Sequence, residues 1–533
     1  MKKPALFFLA IASLTAADYT AEGDRWWAHI QFLADDKLEG RNTGTEGYRQ
    51  AVKYVEGQFE SSGLKPGGTS GYEQMVKFET RTLVPAESSL ALIRDGQTEE
   101  LKSGTPGGDA QLSSVGEAAE ITAPLVFIGY GLVIPEAGID DLAGLDLRGK
   151  VAVYVNASGP VTASGNVVSH YSSTAERWAA YRKAGAVGVA TIANPRLAAT
   201  PPPPAGQAGG ATPPPQPAMR LADPDLRESA DLKVSVAITR TGGEKFFAGS
   251  GHTFDSVFKA AAANETLRGF PLAATLQAKM TVSTGAAEAP NVVGILPGSD
   301  PKLKDEYVVF SAHLDHLGIG RAVNGDNLYN GAMDNASGVA SVLEVARLFK
   351  ESGFTPKRSI IFLTVTGEEK GELGSRYFAA HPSVPFERIV ADINLDMFLP
   401  LYELKVLEVQ GLAESSLGDV IGAAAREAGV EVQTDREPAQ NRFIRSDQYS
   451  FIRRGVPSLA FKFGYEFGSR EEKIRTEWVK TIYHKPSDDL NQPVDKVSAA
   501  RFNRIIFDLL QRIAGNPERP QWKADSFFRR FAM

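Results

Sequence analysis

The C-terminal half of the chain alternates short, continuously apolar runs with segments of helical period. Four runs, at 307–312, 359–365, 389–395 and 456–463, are typical of strands buried on both faces of a parallel sheet. Between the first two, an apolar stripe with helical spacing covers 337–352. The pattern predicts an α/β fold, a three-layer sandwich with a mostly parallel central sheet.

A different pattern occupies residues 118–275, where short apolar strands surround a single strong helical segment. We predict that this segment is a mostly-β insert, with a proline- and glycine-rich loop at 200–217. Residues 18–117 and 276–533 then form the N-terminal and catalytic parts of the domain that it interrupts.

Residues 1–17 read as a secretory signal peptide. Lys2 and Lys3 precede an apolar stretch that ends in small residues at 15–17. The stretch is too short to span a bilayer comfortably, and no later segment is long and apolar enough to do so. The sequence therefore predicts an exported protein, periplasmic or extracellular, without stable membrane insertion.

The composition of the chain excludes several kinds of partner and catalytic site. The 533 residues carry a formal net charge of −7, so no basic surface argues for nucleic acid. The chain has no cysteine, which excludes a thiolate nucleophile and cysteine-ligated metals. A metal site must therefore be built from carboxylates and from some of the seven histidines. The oligomeric state is not indicated.

Candidate chemistry collects after the predicted strands, where open α/β sheets bind ligands. These positions are His313, Asp315, Glu368, Glu369 and Asp396, joined by Asp334 before the 337–352 helix and by His484 further along the chain. Several ionised carboxylates at one sheet edge would cost several kcal/mol without partners, and metal cations are the economical remedy. Two zinc ions sharing a carboxylate and a water suit these ligand types.

The adjacent residues Glu368 and Glu369 would then have different roles. Neighbouring residues on an extended or turning backbone point in different directions, so one glutamate can bind metal while the other faces the substrate as a general base. The residues alone leave open which glutamate does which.

The stretches SAHLDHLG, GAMDNASGVA, TGEEKGELGS, NLDM and YHKPSDD follow one another over residues 311–489. Together they resemble the co-catalytic di-zinc exopeptidases, the group that includes bacterial leucyl-type aminopeptidases, glutamate carboxypeptidase II and glutaminyl cyclase. The insert, with LVFIGYGL, DLRGKVAVYV and RKAGAVGVATI, resembles a protease-associated domain.

The resemblance implies a role for each position. One zinc would be bound by His313 and Asp396 and the other by Glu369 and His484, and Asp334 would bridge them. Glu368 would be the general base. The carboxylate of Asp315 would orient the His313 imidazole. His316 is then not expected to be a ligand. The stretch 445–461 resembles a segment near the substrate pocket, so Arg445, Ser446 and Asp447, together with Tyr483, are the predicted substrate-binding residues.

The expected function is an exported zinc aminopeptidase that acts on peptides. A carboxypeptidase or dipeptidase is the alternative, and it would need a cationic pocket, for which Arg442, Arg445 and Arg453 are candidates. A glutaminyl cyclase is less favoured because those relatives generally lack the insert. A non-catalytic binding protein on the same fold is disfavoured because all five ligands and the base are present.

Overall fold

The computed structural model of the chain describes residues 18–104, 107–196 and 217–532. The predicted signal peptide lies outside these residues, as does nearly all of the proline- and glycine-rich loop.

The helices of the described residues follow in chain order. They are α1 (Tyr19–Leu33), α2 (Glu46–Ser61), α3 (Gly165–Ser172), α4 (Thr174–Lys183), α5 (Gly243–Phe247), α6 (Phe254–Ala262), α7 (Ser337–Ser352), α8 (Leu373–Ala380), α9 (Leu417–Glu427), α10 (Gln448–Ile452), α11 (Arg470–Thr481) and α12 (Lys496–Gly515).

The strands form two large sheets and two short ribbons. They are β1 (Lys65–Pro66), β2 (Glu73–Leu83), β3 (Ser89–Arg94), β4 (Gln97–Glu100), β5 (Ala110–Leu112), β6 (Glu120–Phe127), β7 (Val133–Ile134), β8 (Ile139–Asp140), β9 (Val151–Val155), β10 (Gly188–Ile192), β11 (Ala218–Leu221), β12 (Val234–Ile238), β13 (Phe270–Lys279), β14 (Val282–Leu296), β15 (Tyr307–His313), β16 (Gly318–Val323), β17 (Asp326–Tyr329), β18 (Ser359–Val365), β19 (Ile389–Asn394), β20 (Val406–Gln410), β21 (Glu431–Gln433) and β22 (Ser458–Phe463).

The main sheet has the strand order β11-β2-β14-β18-β15-β19-β22-β20-β21, with β1 paired to β14. Its centre, β18-β15-β19-β22, is parallel. The long strands β2 and β14 are antiparallel to each other, and β14 joins β18 antiparallel. The predicted α/β fold is confirmed, with parallel strands at the centre of the sheet and in the pair β20–β21, while the other flanking pairs are antiparallel. Apolar runs indicate burial on both faces but not strand direction.

Helices cover both faces of this sheet. Val308 and Phe310 of β15 pack into a large core shared with α1, α2, α7, α9 and α12. Val309, which points the other way, packs with Phe378 of α8 and Phe451 of α10. This alternation gives three layers and buries the central strands except at Tyr307, the first residue of β15, as their apolar sequence requires.

A second sheet has the order β4-β3-β13-β6-β9-β10-β12-β5. It begins at Ser89 rather than near residue 118, because β3 and β5 pair with β13 and β12. Conversely β11, at 218–221, pairs with β2 in the main sheet. The boundary drawn from the sequence at 117/118 thus cuts through the second sheet, since local pattern does not say which partner a short strand will find.

The described residues contain no helix of the length and apolar character that crossing a bilayer demands.

Candidate metal centre

Loops at one edge of the main sheet bring the predicted ligands together. Strand β15 ends at His313, and the ends of β18 and β19 are closely followed by Glu368 and Asp396. Because these three strands are parallel neighbours, their ends share an edge. Asp334 lies on the turn before α7, and His484 lies on the loop after α11.

The carboxylate of Asp334 stands between two groups of side chains. Its Oδ1 lies 3.3 Å from Nε2 of His313, which is also 3.6 Å from Oδ1 of Asp396. Its Oδ2 lies 3.1 Å from Nε2 of His484, which is 3.2 Å from Oε2 of Glu369. The five predicted ligands therefore form two sets that share one buried carboxylate.

His316, which the sequence analysis set aside, also reaches this cluster. It is fully buried, with Nδ1 2.8 Å from Oε1 of Glu369 and 4.0 Å from Oδ2 of Asp334. With these two carboxylates it forms a group able to hold a metal ion. The signal in the sequence was the second histidine of HLDH, but spacing alone does not say that its ring lies against Glu369.

The atoms that face one another here fit metal cations better than they fit hydrogen bonding. Nε2 of His313, both ring nitrogens of His316 and Oε1 of Glu369 are buried and make no hydrogen bond of acceptable geometry, even though Nδ1 of His316 and Oε1 of Glu369 approach each other to 2.8 Å. Buried polar groups are rarely left in this state. Imidazole nitrogens and carboxylate oxygens at such a point are the donor set that zinc accepts.

The two glutamates lie in a tight turn held by Asp315. The backbone N–H groups of Glu368 and Glu369 donate to its two carboxylate oxygens at 3.1 and 3.3 Å. Thr43 donates to the same carboxylate at 3.1 Å. Nδ1 of His313 lies instead 3.1 Å from the backbone carbonyl of Asp315. The expected contact between the Asp315 carboxylate and the imidazole is thus replaced by a main-chain contact, and the carboxylate positions the glutamate turn.

The pKa values of the pair diverge. Burial raises the pKa of Glu368 well above its usual range, with Asp396 and Glu369 adding to the effect of burial and His313 opposing it. Burial and Asp334 also raise the pKa of Glu369, but contacts with His316 and His484 outweigh them and lower it to about 2. Carboxyls whose environments separate them in this way are suited to different roles, one as proton carrier and one as ligand.

Two further residues fix the loops, and the sequence reasoning assigned neither a role. The buried guanidinium of Arg41 donates to the backbone carbonyls of Leu314 at 2.8 Å, of Gly331 at 2.7 Å and of Asn330. Asp488 accepts from the backbone N–H groups of Met333 and Asp334 at 2.9 and 3.0 Å. Arg41 thereby ties the loop after β15 to the turn before α7.

That turn also needs a glycine. Gly331 has φ +64°, and a Cβ there would lie 2.2 Å from the Asp334 carbonyl oxygen and 2.5 Å from the His316 ring. Any side chain at Gly331 would therefore push the turn away from both ligands.

A small pocket of about 120 Å³ adjoins the cluster and contains Asp396 in its wall. Arg445, Ser446 and Tyr483, three of the four predicted substrate-binding residues, line it. Asp447 is not part of the wall, and its buried carboxylate makes no hydrogen bond. A larger cavity of about 440 Å³ lies between β11 and the second sheet and contains none of the predicted ligands, so size does not identify the site.

Comparison with known proteins agrees with this geometry. Residues 291–510 match the model of peptidase family M28. A probable leucine aminopeptidase 2 of Aspergillus oryzae (strain ATCC 42149 / RIB 40) is 30% identical over 195 residues, 35% of this chain and 36% of that protein. Leupeptin-inactivating enzyme 1 of Streptomyces exfoliatus is 24% identical over 249 residues, 45% of this chain and 52% of that protein.

The matched segments thus cover only about a third to a half of these relatives. Among solved structures, an aminopeptidase from Aneurinibacillus sp. strain AM-1 superposes with a TM-score of 0.54 at 21% identity, over 96% of this chain and 99% of that one, which establishes the shared fold. The family match contains every predicted ligand. Residues 291–510 of this chain are therefore similar to peptidase family M28.

Proposed function

We propose that this protein is an exported zinc aminopeptidase that removes N-terminal residues from peptides and binds two zinc ions per chain. The observation that carries the proposal is the Asp334 carboxylate, whose two oxygens face two separate sets of ligands. The names of the relatives, aminopeptidases among them, point the same way.

The residues that would hold the metal fall into two sets. His313, Asp334 and Asp396 would hold one ion. His484 and Glu369 would hold the other together with Asp334, and His316 is close enough to join them. Bound zinc would polarise the scissile carbonyl and make a nearby water more acidic.

Glu368 would carry the proton. Its Oε2 lies 4.0 Å from Nε2 of His313, so it stands beside the first set and outside the ligand groups. It would accept a proton from the attacking water as the new C–O bond forms and return it to the amine as the C–N bond breaks. Asp315, by holding the N–H groups of the turn, would keep the carboxylate directed at the water.

A carboxypeptidase or dipeptidase remains the second candidate, and the pocket gives it a specific basis. Arg442 and Arg445 line the pocket beside Asp396. Arg453 does not line this pocket, and it pairs with Glu228 at 2.7 Å and Glu176 at 3.3 Å.

The test is hydrolysis by purified protein lacking residues 1–17. We expect turnover of amino-acid arylamides with a free amino group, abolished by a chelator and restored by zinc. Acetylating the substrate amine should abolish cleavage. Cleavage of N-acetylated dipeptides with a free carboxyl end would favour the second candidate, and stoichiometric zinc without any turnover would refute both.

Export and the insert belong to the same proposal. Residues 1–17 would be removed on secretion, and sequencing the N-terminus of protein recovered from outside the cytoplasm should find residue 18. The second sheet would belong to the protease-associated insert that shapes access to the site. A contact with the main domain supports this role, because His170 of α3 lies within hydrogen-bonding distance of Tyr449 of α10.

A further inference from the structure

The small pocket beside Asp396 has apolar walls and a cationic, donor-rich lining. Met397, Leu399, Ala460 and Val479 supply the apolar contacts. The remaining lining includes Lys462 of β22, with Gln410, Arg442 and Arg475 from neighbouring elements. Its volume, about 120 Å³, suits one side chain rather than a ligand of drug size.

Lys462 is the central group. Lys462 is 6% exposed, and its ammonium donates a hydrogen bond to the backbone carbonyl of Asp396 at 2.6 Å. Among the described residues, no carboxylate oxygen lies within ion-pair distance of this ammonium. An ammonium has three donors, so the observed bond leaves two for a bound group.

Other donors in the lining also lack acceptors. Nε2 of Gln410 is buried without a hydrogen-bond partner. Nη1 of Arg442 is likewise unpartnered, with Oδ1 of Asp435 3.8 Å away, whereas Nη2 of the same guanidinium pairs with Glu437 at 2.9 Å. Buried N–H groups of this kind cost free energy until an acceptor reaches them.

Two other cations line the pocket. Arg445 donates to the backbone carbonyl of Gln440 at 3.2 Å, and Arg475 is neutralised by a carboxylate. Arg475 makes two hydrogen bonds to Glu408, at 3.0 and 3.1 Å. Among the described residues of the lining, Asp396 supplies the one carboxylate, and it is assigned to metal in the proposed function. The pocket thus offers unpaired donors and an excess of positive charge from Lys462 and Arg445, and it lacks a free carboxylate among the residues described.

We propose that this pocket binds a carboxylate of the substrate, and specifically the acidic side chain of the residue whose carbonyl meets the ligand cluster. The inference rests on the proposed function and deepens it to an aminopeptidase that prefers N-terminal glutamate or aspartate. The apolar walls would contact the aliphatic stem, while Lys462 and its neighbours bind the carboxylate. Leucine would leave the buried donors unsatisfied, and lysine or arginine would meet like charge.

The test compares glutamyl, glutaminyl and leucyl arylamides, which have no free carboxyl terminus, using zinc-loaded wild type and Lys462→Met. We expect wild type to favour the glutamyl over the glutaminyl substrate in kcat/KM by about 10- to 100-fold. In Lys462→Met the ratio should fall to within about twofold. The matched control is Lys405→Met, an exposed lysine paired with Glu403 at 3.2 Å, which should keep the wild-type ratio.

A second pair of substrates separates the two sources of a carboxylate. If dipeptides with a free carboxyl end are cleaved at least tenfold faster than their amides, while the glutamyl and glutaminyl arylamides are equal, the pocket binds the terminal carboxylate. That result would support a carboxylate-binding pocket, but it would show that the bound carboxylate is the C-terminal one and not that of the side chain. Equal rates within both pairs, unchanged in Lys462→Met, would overturn the inference.

Binding measured directly keeps the inference separate from the proposed function. Should metal-loaded wild type hydrolyse no substrate, the proposed function fails, but calorimetric titration with L-glutamate and L-glutamine still decides the pocket. Tighter binding of glutamate in wild type, lost in Lys462→Met, would support it. Equal binding of the two would refute it. The wild-type comparison stands on its own if Lys462→Met does not fold.

Discussion

The carboxylate of Asp315 gives the sharpest test of how the glutamate turn is built. It accepts the N–H groups of Glu368 and Glu369 and the hydroxyl of Thr43, whereas its contact with His313 runs through the backbone carbonyl. Asp315→Asn keeps the size of the side chain and its main chain. It replaces one acceptor oxygen with an N–H₂ group that faces a donor.

The expected fall in kcat/KM can be estimated from the hydrogen bonds that the substitution removes. A hydrogen bond to a charged group is worth about 1.5–3 kcal/mol, and the substitution removes at least one such bond and weakens the other. If this energy appears as mispositioning of Glu368, kcat/KM should fall by about 10- to 150-fold. Metal content should stay at the wild-type level, since the carbonyl that contacts His313 is unchanged.

The assay pairs arylamide hydrolysis with zinc content after dialysis, and Thr43→Val is the control because it removes a single contact to Asp315. That variant should lose no more than about tenfold in kcat/KM. If Asp315→Asn instead loses zinc and regains full activity when zinc is added, the carboxylate acts on the metal ligands and the positioning argument is wrong.

Three further predictions concern the residues around the cluster. His316→Ala should weaken the binding of one metal ion about 10- to 100-fold in a chelator competition, because Nδ1 lies 2.8 Å from Glu369, and unchanged affinity for both ions would exclude His316 as a ligand. Arg41→Met should lower the free energy of unfolding in urea by about 3–5 kcal/mol, because it leaves several buried carbonyls without a hydrogen-bond donor. The exposed control Arg49→Met should change it by less than about 0.5 kcal/mol. Equal effects of the two substitutions would contradict the argument. Burial, assisted by nearby arginines, lowers the pKa of His170 to about 4, so the folded state binds fewer protons than the unfolded state between about pH 6.5 and 4. The free energy of unfolding of wild type should therefore fall by up to about 3 kcal/mol relative to that of His170→Gln as the pH falls through that window. Parallel pH profiles of stability in urea would refute this.

Sequence alone located the strand ends well. The run SIIFLTV became β18 with the same bounds, and the helical stripe before Gly353 became α7. Both succeed because continuous burial and helical period are local signals. Three of the five candidate ligands, His313, Glu369 and Asp396, could be placed near one another because parallel strands that are adjacent in a sheet end at the same edge, whereas Asp334 and His484 lie outside that pattern.

The remaining features depend on contacts between distant parts of the chain. Nothing near Ser89 indicates that β3 will pair with β13, and nothing near Arg41 indicates that its guanidinium will cap loops almost 300 residues away. The partners of the Asp315 carboxylate and of His316 depend on how two loops turn. Lys462 reads as an isolated polar residue in an apolar strand until the pocket is formed.

One measurement bears most directly on the proposed division of labour between the adjacent glutamates. Zinc content and arylamide hydrolysis should be determined side by side for wild type, Glu368→Gln and Glu369→Gln. We expect Glu368→Gln to retain the wild-type zinc content and lose activity by at least about 10²-fold, and Glu369→Gln to lose zinc. The account would be contradicted if Glu368→Gln lost zinc, or if it stayed active while Glu369→Gln remained fully loaded.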